Sequence, residues 1–318
     1  MRVAITGATG FVGKHLIKEL IIKELSVEEL IIIGRHKVNL PNTTFYKVSI
    51  DGETDYIKAL ASVDVVIHCA ARVHVMNDVA SNPLNEFRAV NTQGTLNLAK
   101  QAARSGVKRF IFLSSIKVNG ESTSGKVPFT ASDKTAAEDP YGISKSEAEQ
   151  QLLELGKQTG MEIVIIRPPL VYGEGVKANF SSLMKFVARG FPLPFRAIKT
   201  NKRSFVSVYN LVDLIKLCIE HPKAANQVFL VSDDNDLSTA QMVALMAKVQ
   251  NKKNFSLPVP VWCFYIVGKM LNKSDVVDRL TGCLQLDITH TKNTLNWTPP
   301  YSVEYGFKLA VKKPSHDN

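Results

Sequence analysis

The chain predicts an α/β fold, a doubly wound parallel sheet with a smaller C-terminal α+β domain suited to holding a substrate. Three features of the sequence carry that expectation. Short apolar runs alternate with longer amphipathic ones through the first half, a glycine triplet follows the first run at once, and the alternation loosens after Tyr172.

The elements follow in order. Val3 to Thr6, Leu30 to Ile33 and Val63 to His68 read as strands, with Phe11 to Lys23 and Tyr56 to Ala61 between them as helices. This is the pattern of β-α-β units, whose strands run parallel. A period of 3.6 predicts a helix from Pro83 to Ser105, stopped by Gly106, and then a strand over Arg109 to Ser114. A polar loop leads through Asp139-Pro140 into a helix from Tyr141 to Gln158, which Gly160 ends. Glu162 to Arg167 is a further buried strand, halted by Pro168-Pro169, and Phe205 to Phe229 reads as strand, helix and strand returning to the main sheet. The expected partition is residues 1–173 with 205–232 as a dinucleotide-binding unit, and 174–204 with 233–318 as a substrate-binding unit. No Pro/Gly/Ser linker separates the two, so they are expected to interleave and pack rigidly.

Composition narrows the classes. The formal charge of +10 arises from 39 Lys and Arg against 29 Asp and Glu, a surplus that suits an anionic ligand. Basic residues form no run of five, and the aromatics are not interleaved with a basic stripe, which argues against nucleic acid. Cys69, Cys218, Cys263 and Cys283 lie far apart with no metal-ligand spacing, so reduced structural thiols and no metal are expected. The strand-like start leaves no room for a signal segment, and a cytoplasmic location is expected. The apolar run from Val259 to Leu271 is too short to span a bilayer, which takes about 20 residues; it reads as a core helix, and no stable membrane insertion is expected. Disorder is expected only in the final Lys-Lys-Pro-Ser-His-Asp-Asn tail.

The glycine triplet is Gly7, Gly10 and Gly13, between the first strand and the first helix. The first suits a tight turn, the second lets backbone approach a pyrophosphate, and the third permits close helix-strand packing. Phe11 and Val12 complete the segment, at a helix N-terminus that supplies N–H groups and a positive dipole. The second strand ends in Gly34-Arg35-His36 and lacks the acid that holds a ribose 2′-hydroxyl. Arg35 instead matches a 2′-phosphate, so NADP(H) is favoured, with NAD(H) possible. Asp51 is a candidate acceptor for the adenine amino group, with an ordinary turn aspartate as the alternative.

Tyr141 and Lys145, at i and i+4, share a helix face. A neighbouring ammonium and a positive nicotinamide would lower the tyrosine from its usual value of about 10 toward working pH. Tyr141 is then a candidate acid/base for interconverting an alcohol and a ketone. Ser114-Ser115 sits at the C-terminal end of a strand, where open α/β sheets bind ligands.

With these features in this order, nearly the whole chain resembles the extended short-chain dehydrogenase/reductases, the NAD-dependent epimerase/dehydratase family of nucleotide-sugar enzymes, which implies a Rossmann-like fold. The resemblance implies that Ser115, in Phe112 to Gly120, bonds to the reacting sugar oxygen, that Tyr141 is the acid/base, and that Lys145 also bonds the nicotinamide ribose. His68, Ala70 and Ala71 match a turn lying along the cofactor, Asn91 a helical asparagine that braces the site, and Pro168 the cofactor-side loop. Read without the family, His68 and Asn91 are satisfied core polar residues. Asn179 and Arg203 correspond to contacts on the sugar-nucleotide diphosphate, with Arg279 a second clamp. Family members often dimerise through the two long helices, so a homodimer is expected.

Ile116 and Lys117 stand where 4,6-dehydratases carry an acid pair, which argues against dehydration. Two reactions on a UDP-sugar remain, 4-epimerisation and reduction of a 4-keto sugar. Segments 71–78, 115–120 and 167–172 look most like a bacterial surface-polysaccharide subgroup described as UDP-glucose 4-epimerase-like, which includes UDP-4-keto-6-deoxy-N-acetylglucosamine 4-reductases. Arg35 tilts the expectation to the reductase, which consumes NADPH. Lys117 either faces the sugar or is solvated. A non-catalytic protein that binds NADP or RNA on this scaffold is the third reading; Ser115, Tyr141 and Lys145 together argue against it.

Overall fold

The computed structural model describes residues 1–21, 27–38, 40–73, 82–176 and 178–311, the side chains of 178 and 179 excepted. Residues 22–23 of the first expected helix, residues 74–78 of one resemblance segment and the tail from 312 lie outside that set.

Seven strands form one parallel sheet: β1 (Arg2–Thr6), β2 (Glu29–Gly34), β3 (Thr43–Lys47), β4 (Val65–His68), β5 (Arg109–Leu113), β6 (Glu162–Arg167) and β9 (Gln227–Leu230), in the order β3-β2-β1-β4-β5-β6-β9. Ile5 pairs with Ile32 on one side and Ile67 on the other, which places the register at the middle of the sheet. The central stretches of β1, β2, β4, β5 and β6 are apolar and buried because helices cover both faces, whereas the edge strand β3 is half-polar. On one face α1 (Phe11–Ile21) and α7 (Val208–Glu220) bury Leu16, Ile17, Leu211 and Ile215. On the other, α2 (Ile57–Leu60), α4 (Thr95–Arg104) and α5 (Pro140–Thr159) bury Leu60, Leu98, Ala102 and Leu152. The chain winds outward from β1 to β3, then crosses back to β4 on the other side of β1, so a switch point lies between β1 and β4. Crevices for ligands open there, at the carboxyl ends of the strands.

The helix expected from Pro83 is interrupted. It runs as α3 (Pro83–Phe87), a π-helical stretch at Arg88–Gly94, and then α4. Such stretches collect at functional sites because they turn side chains off the regular helical spiral. The start of α5 follows from local chemistry: the Asp139 carboxylate accepts from the Gly142 N–H at 2.7 Å, Pro140 fits the first turn, and Gly160 ends the helix with φ 77°.

Two expectations are corrected. The strand at Phe205, β8 (Phe205–Ser207), does not rejoin the main sheet; it pairs with β7 (Leu170–Tyr172) in a separate two-stranded parallel sheet, and only β9 returns. Both strands are three residues long, and Tyr172 and Phe205 are committed to a third core with Phe180, Met246 and Phe307. That core gathers α6 (Ala178–Ala188), α8 (Thr239–Val249) and α12 (Val303–Val311). The second correction concerns the apolar run near residue 260. It forms α9 (Val261–Met270), packed on α10 (Ser274–Thr281), but it is a surface helix: of its residues only Gly268 is buried. A short α11 (Thr289–Leu295) closes against β9.

Candidate active site at the sheet switch point

A cleft of about 470 Å³ opens at the switch point, between the β1–α1 turn, the end of β2 and the turn after β4. Gly7, Gly10, Arg35, Ala70 and Ala71 line it, as expected for the cofactor side. The glycines make the cradle. Gly7 has φ 73°, and a Cβ there would sit 2.6 Å from the Ala70 nitrogen; a Cβ on Gly13 would sit 2.2 Å from the Gly7 carbonyl oxygen. The turn is therefore drawn tight against both the helix start and the β4 turn, leaving room for a pyrophosphate over bare backbone. These residues fit a dinucleotide. Arg35 is exposed at the mouth of the cleft. Phe11 and Val12 are half-buried and pack against the main core, and Phe11 lines a second, neighbouring cavity.

Three residues expected on the cofactor side bond within the protein. His68 is fully buried, its Nδ1 2.7 Å from the Thr6 hydroxyl and its Nε2 2.9 Å from the Thr95 hydroxyl, so neither ring nitrogen reaches the cleft. Burial, with the Lys145 charge adding to it, holds His68 down at about 3, a neutral ring stacked on Phe112. Asp51 closes a turn, one carboxylate oxygen accepting from the Glu53 and Thr54 N–H groups and the Thr54 hydroxyl. Burial would raise its pKa, and these bonds outweigh that and lower it. It is the turn aspartate of the alternative reading. Pro168 is buried, and its carbonyl accepts from the Ile116 N–H at 3.0 Å, holding the serine segment in place.

Asn91 is a brace. From the π-helical stretch it donates to the Arg72 carbonyl and the Ser144 hydroxyl, both at 3.0 Å, and accepts from the Arg72 N–H at 2.8 Å. It thereby ties the turn after β4 to α5, the helix that carries Tyr141 and Lys145.

Of the three expected catalytic residues, Ser115 and Tyr141 are hydrogen-bonding neighbours, and Lys145 lies one turn along α5. Ser115 caps a 3-10 turn at Ile116–Val118 beyond the end of β5 and pulls the Tyr141 hydroxyl toward lower pKa by hydrogen bonding. Lys145 is buried, donates to the Leu113 carbonyl at 2.9 Å and lies 4.3 Å above the Phe112 ring. The expected lowering of Tyr141 does not occur in the cofactor-free chain. Burial and the Asp139 charge push it up to about 12, past what Ser115 recovers. Lys145 is turned to Leu113, and its own charge is disfavoured.

Burial holds Lys145 down at about 8 from 10.5, against the opposing pull of Cys69 and Glu149. Between those two values the unfolded chain binds more protons than the folded one, so this group's contribution to stability rises with pH across that window. Below it, the full penalty of a buried ammonium is present. Lys145→Met is expected to stabilise the fold by about 2 kcal/mol at neutral pH, after the lost bond to Leu113 is deducted, while removing turnover. Urea unfolding of both proteins at neutral pH and above pH 10 checks this. An equal gain at both would show that the buried charge is not the cause.

On the substrate side, Arg203 and Arg279 come together. Burial lowers the Arg203 pKa and the Arg279 charge adds to the lowering. Arg203 Nη1 donates to the Gly282 carbonyl at 3.4 Å, and Arg279 Nε to the Asp275 carbonyl at 3.0 Å; no carboxylate is bonded to either in the described residues. Two guanidiniums in mutual reach with carbonyls as their partners form a place for a polyanion. The side chain of Asn179, on α6, lies outside the described residues. Lys117 is neither free toward the sugar nor merely solvated. It is ion-paired with Asp139 and, at 3.1 Å, with Glu121, so it partly neutralises the charge that raises Tyr141.

Sequence reading missed Glu149. It lies at i+4 from Lys145 and i+8 from Tyr141, on the same stripe of α5, a spacing that was there to be read. Its carboxylate is buried and takes Arg167 Nη2 at 2.5 Å and Nε at 3.0 Å, along with the Ser114 hydroxyl. Arg167 also reaches Asn119 at 2.9 Å. This network fixes the ends of β5 and β6 directly behind Ser115. The role of Thr6 and Thr95 as the two partners of the His68 ring was also missed, although both lie in segments that stand out in the sequence.

The model of the NAD dependent epimerase/dehydratase family matches residues 3–232. A protein of Vibrio cholerae named UDP-glucose 4-epimerase is 56% identical over 311 residues, covering 98% of this chain and 94% of the relative. A protein of Escherichia coli O157:H7 named N-acetyl-alpha-D-glucosaminyl-diphospho-ditrans,octacis-undecaprenol 4-epimerase is 30% identical, with the same coverage of 98% and 94%. Among solved structures, the UDP-glucose 4-epimerase of Thermotoga maritima with UDP-glucose superposes with TM-score 0.78 at 24% identity over 98% of this chain and 97% of that one, a likeness of fold.

Proposed function

Because the chain belongs to the NAD dependent epimerase/dehydratase family, we propose that it is a nucleotide-sugar 4-epimerase acting on UDP-glucose or UDP-N-acetylglucosamine. What supports the reading is Ser115 in hydrogen-bonding reach of Tyr141, with Lys145 one helical turn on, bonded to the end of β5 and close to Cys69, a residue of the cleft whose glycine turn suits a dinucleotide. The relative at 56% identity and its name weigh for the epimerase over the 4-keto-6-deoxy reductase.

When bound, the oxidised dinucleotide supplies a hydride acceptor and a positive charge beside Tyr141. Ser115 holds the C4 oxygen, and Tyr141, as the phenolate that this positive charge favours, accepts its proton as the alcohol becomes a ketone. The same tyrosine returns the proton after the sugar has turned over. Lys145 fixes the end of β5 through Leu113 and meets the nicotinamide ribose. Arg203 and Arg279 hold the diphosphate, so the sugar ring is the part left free to rotate. Asn179 belongs to the same phosphate contacts. In this reading Ala70 and Ala71 lie along the cofactor, and Asn91 acts through its grip on α5.

One observation favours the second reading, a UDP-4-keto-6-deoxy-N-acetylhexosamine 4-reductase in surface-polysaccharide synthesis. Arg35 is exposed at the mouth of the cleft, where it suits the 2′-phosphate of NADP(H). The units 1–173 with 205–232, and 174–204 with 233–318, a homodimer through α3–α4 and α5, and a cytoplasmic location belong to either reading.

The test is an assay of purified protein with UDP-glucose, UDP-N-acetylglucosamine and the 4-keto-6-deoxy sugar, following NADH and NADPH absorbance and resolving products by chromatography. The 4-epimer without net cofactor change is the expected result. Stoichiometric NADPH loss with the keto sugar alone would replace the epimerase with the reductase.

A further inference from the structure

The α9–α10 hairpin is packed with its apolar side outward. Gly268 lets the two helices close up, since a Cβ there would lie 2.5 Å from a Val277 methyl. Phe264 stacks on Phe195 and takes up the rest of the inner side. Outward, Trp262, Tyr265, Ile266 and Met270 recur at i, i+3, i+4 and i+8 and are 64%, 49%, 51% and 80% exposed. Single exposed apolar residues are ordinary, but four sharing one arc of a helix are not. The arc where a soluble helix carries its charges is apolar apart from Lys269. Around it the exposed charges are mainly basic: Lys252, Lys253, Lys269 and Lys273 fall within residues 250–274, which hold no Asp or Glu, and on α10 the exposed Asp275 and Asp278 stand beside Arg279.

We propose that this face docks on the surface of an anionic lipid bilayer. Exposed lysines within and on either side of a helix that presents tryptophan, tyrosine and aliphatic side chains are the chemistry of an interfacial helix: the apolar arc enters the boundary between headgroups and acyl chains, and the ammonium groups stay among the phosphates. The helix of ten residues lies on the membrane; no helix among the described residues is long and apolar enough to cross one. A second copy of the chain is the less favoured occupant, because a two-fold interface would set a surface richer in Lys and Arg than in Asp against its own image. Docking here turns the substrate end toward the lipid, since Arg279 is on α10. The inference stands apart from the reaction assigned above.

The full chain is to be sedimented with vesicles of phosphatidylethanolamine and phosphatidylglycerol, and with vesicles of phosphatidylcholine alone. Trp262 is the reporter, because the other tryptophan, Trp297, is 5% exposed and donates to Asp213 at 2.8 Å. The expected result is co-sedimentation with the anionic vesicles, a blue shift of tryptophan emission, and weakening by salt. Lys269→Gln and Lys273→Gln should each weaken binding roughly fivefold. Trp262→Ser with Met270→Ser should abolish it and leave turnover of a soluble sugar nucleotide unchanged. Absence of binding to anionic vesicles, or binding that the Trp262 and Met270 changes leave intact, overturns the proposal. So does light scattering in which those two changes convert a dimer to a monomer, which would give the face to a second copy.

Discussion

Tyr141→Phe is expected to lower kcat by roughly 10²–10⁴-fold, the range for loss of a positioned acid/base. Cofactor affinity should stay nearly constant. The ring edge packs on Phe87 and that contact survives the change, whereas only the hydroxyl faces Ser115. Steady-state kinetics with nicotinamide titration by fluorescence separate the two quantities. A variant that keeps turnover, or that loses activity only because cofactor no longer binds, would remove Tyr141 from the chemistry. The direction of its pKa adds a further expectation. Without cofactor the hydroxyl is pushed up to about 12 by burial and by Asp139, so it rests protonated, ready to donate. The proton-accepting half of the cycle then needs the positive charge that oxidised cofactor brings. Raising pH should consequently favour the oxidative half-reaction more than the reductive one.

The second large effect is on stability. Glu149→Ala is expected to cost about 3–5 kcal/mol, because it leaves the Arg167 guanidinium, 5% exposed, as an uncompensated buried charge. The Ser114 hydroxyl loses its acceptor in the same step. Exchanging both partners for apolar residues of similar size, Glu149→Leu with Arg167→Met, should recover most of the loss, since the pair's attraction is largely spent on its own desolvation. Urea unfolding of the wild type and the two variants measures this. A single variant within about 1 kcal/mol of wild type would mean that the pair is solvated, contrary to its burial. The double variant should still be slow in turnover, because the ends of β5 and β6 behind Ser115 are no longer tied together.

Much of the fold and part of the site were legible in the sequence. Runs such as Val3 to Ile5 and Ile163 to Ile166 are apolar throughout, the pattern of a strand covered on both faces. Gly7, Gly10 and Gly13 have a spacing with one good use, and Tyr141 and Lys145 share a face at any helix pitch near 3.6. These features are local: they follow from backbone sterics and periodicity within a few residues. The strand end singled out Ser114-Ser115 locally, but the choice of Ser115 came from the family resemblance, and the structure commits the Ser114 hydroxyl to Glu149.

Other features needed the tertiary structure, because burial and charge depend on partners distant in sequence. His68 reads equally as a cofactor contact or a core residue until Thr6, 62 positions away, and Thr95 are seen to occupy both ring nitrogens. Lys117 reads as free until Asp139 is beside it, and the same aspartate raises the tyrosine that the sequence expected to be lowered. Val259 to Leu271 has the composition of a core helix, yet composition states only that water is an unfavourable neighbour, not which apolar partner is present. Among the described residues Gly268 and the inner side of α9 find one. The sequence determined which segments are strands and helices and which residues could do chemistry, because those depend on local sterics and spacing. The packing decided which of them are charged, buried or exposed, because electrostatics and solvation act through space between residues that no local pattern connects.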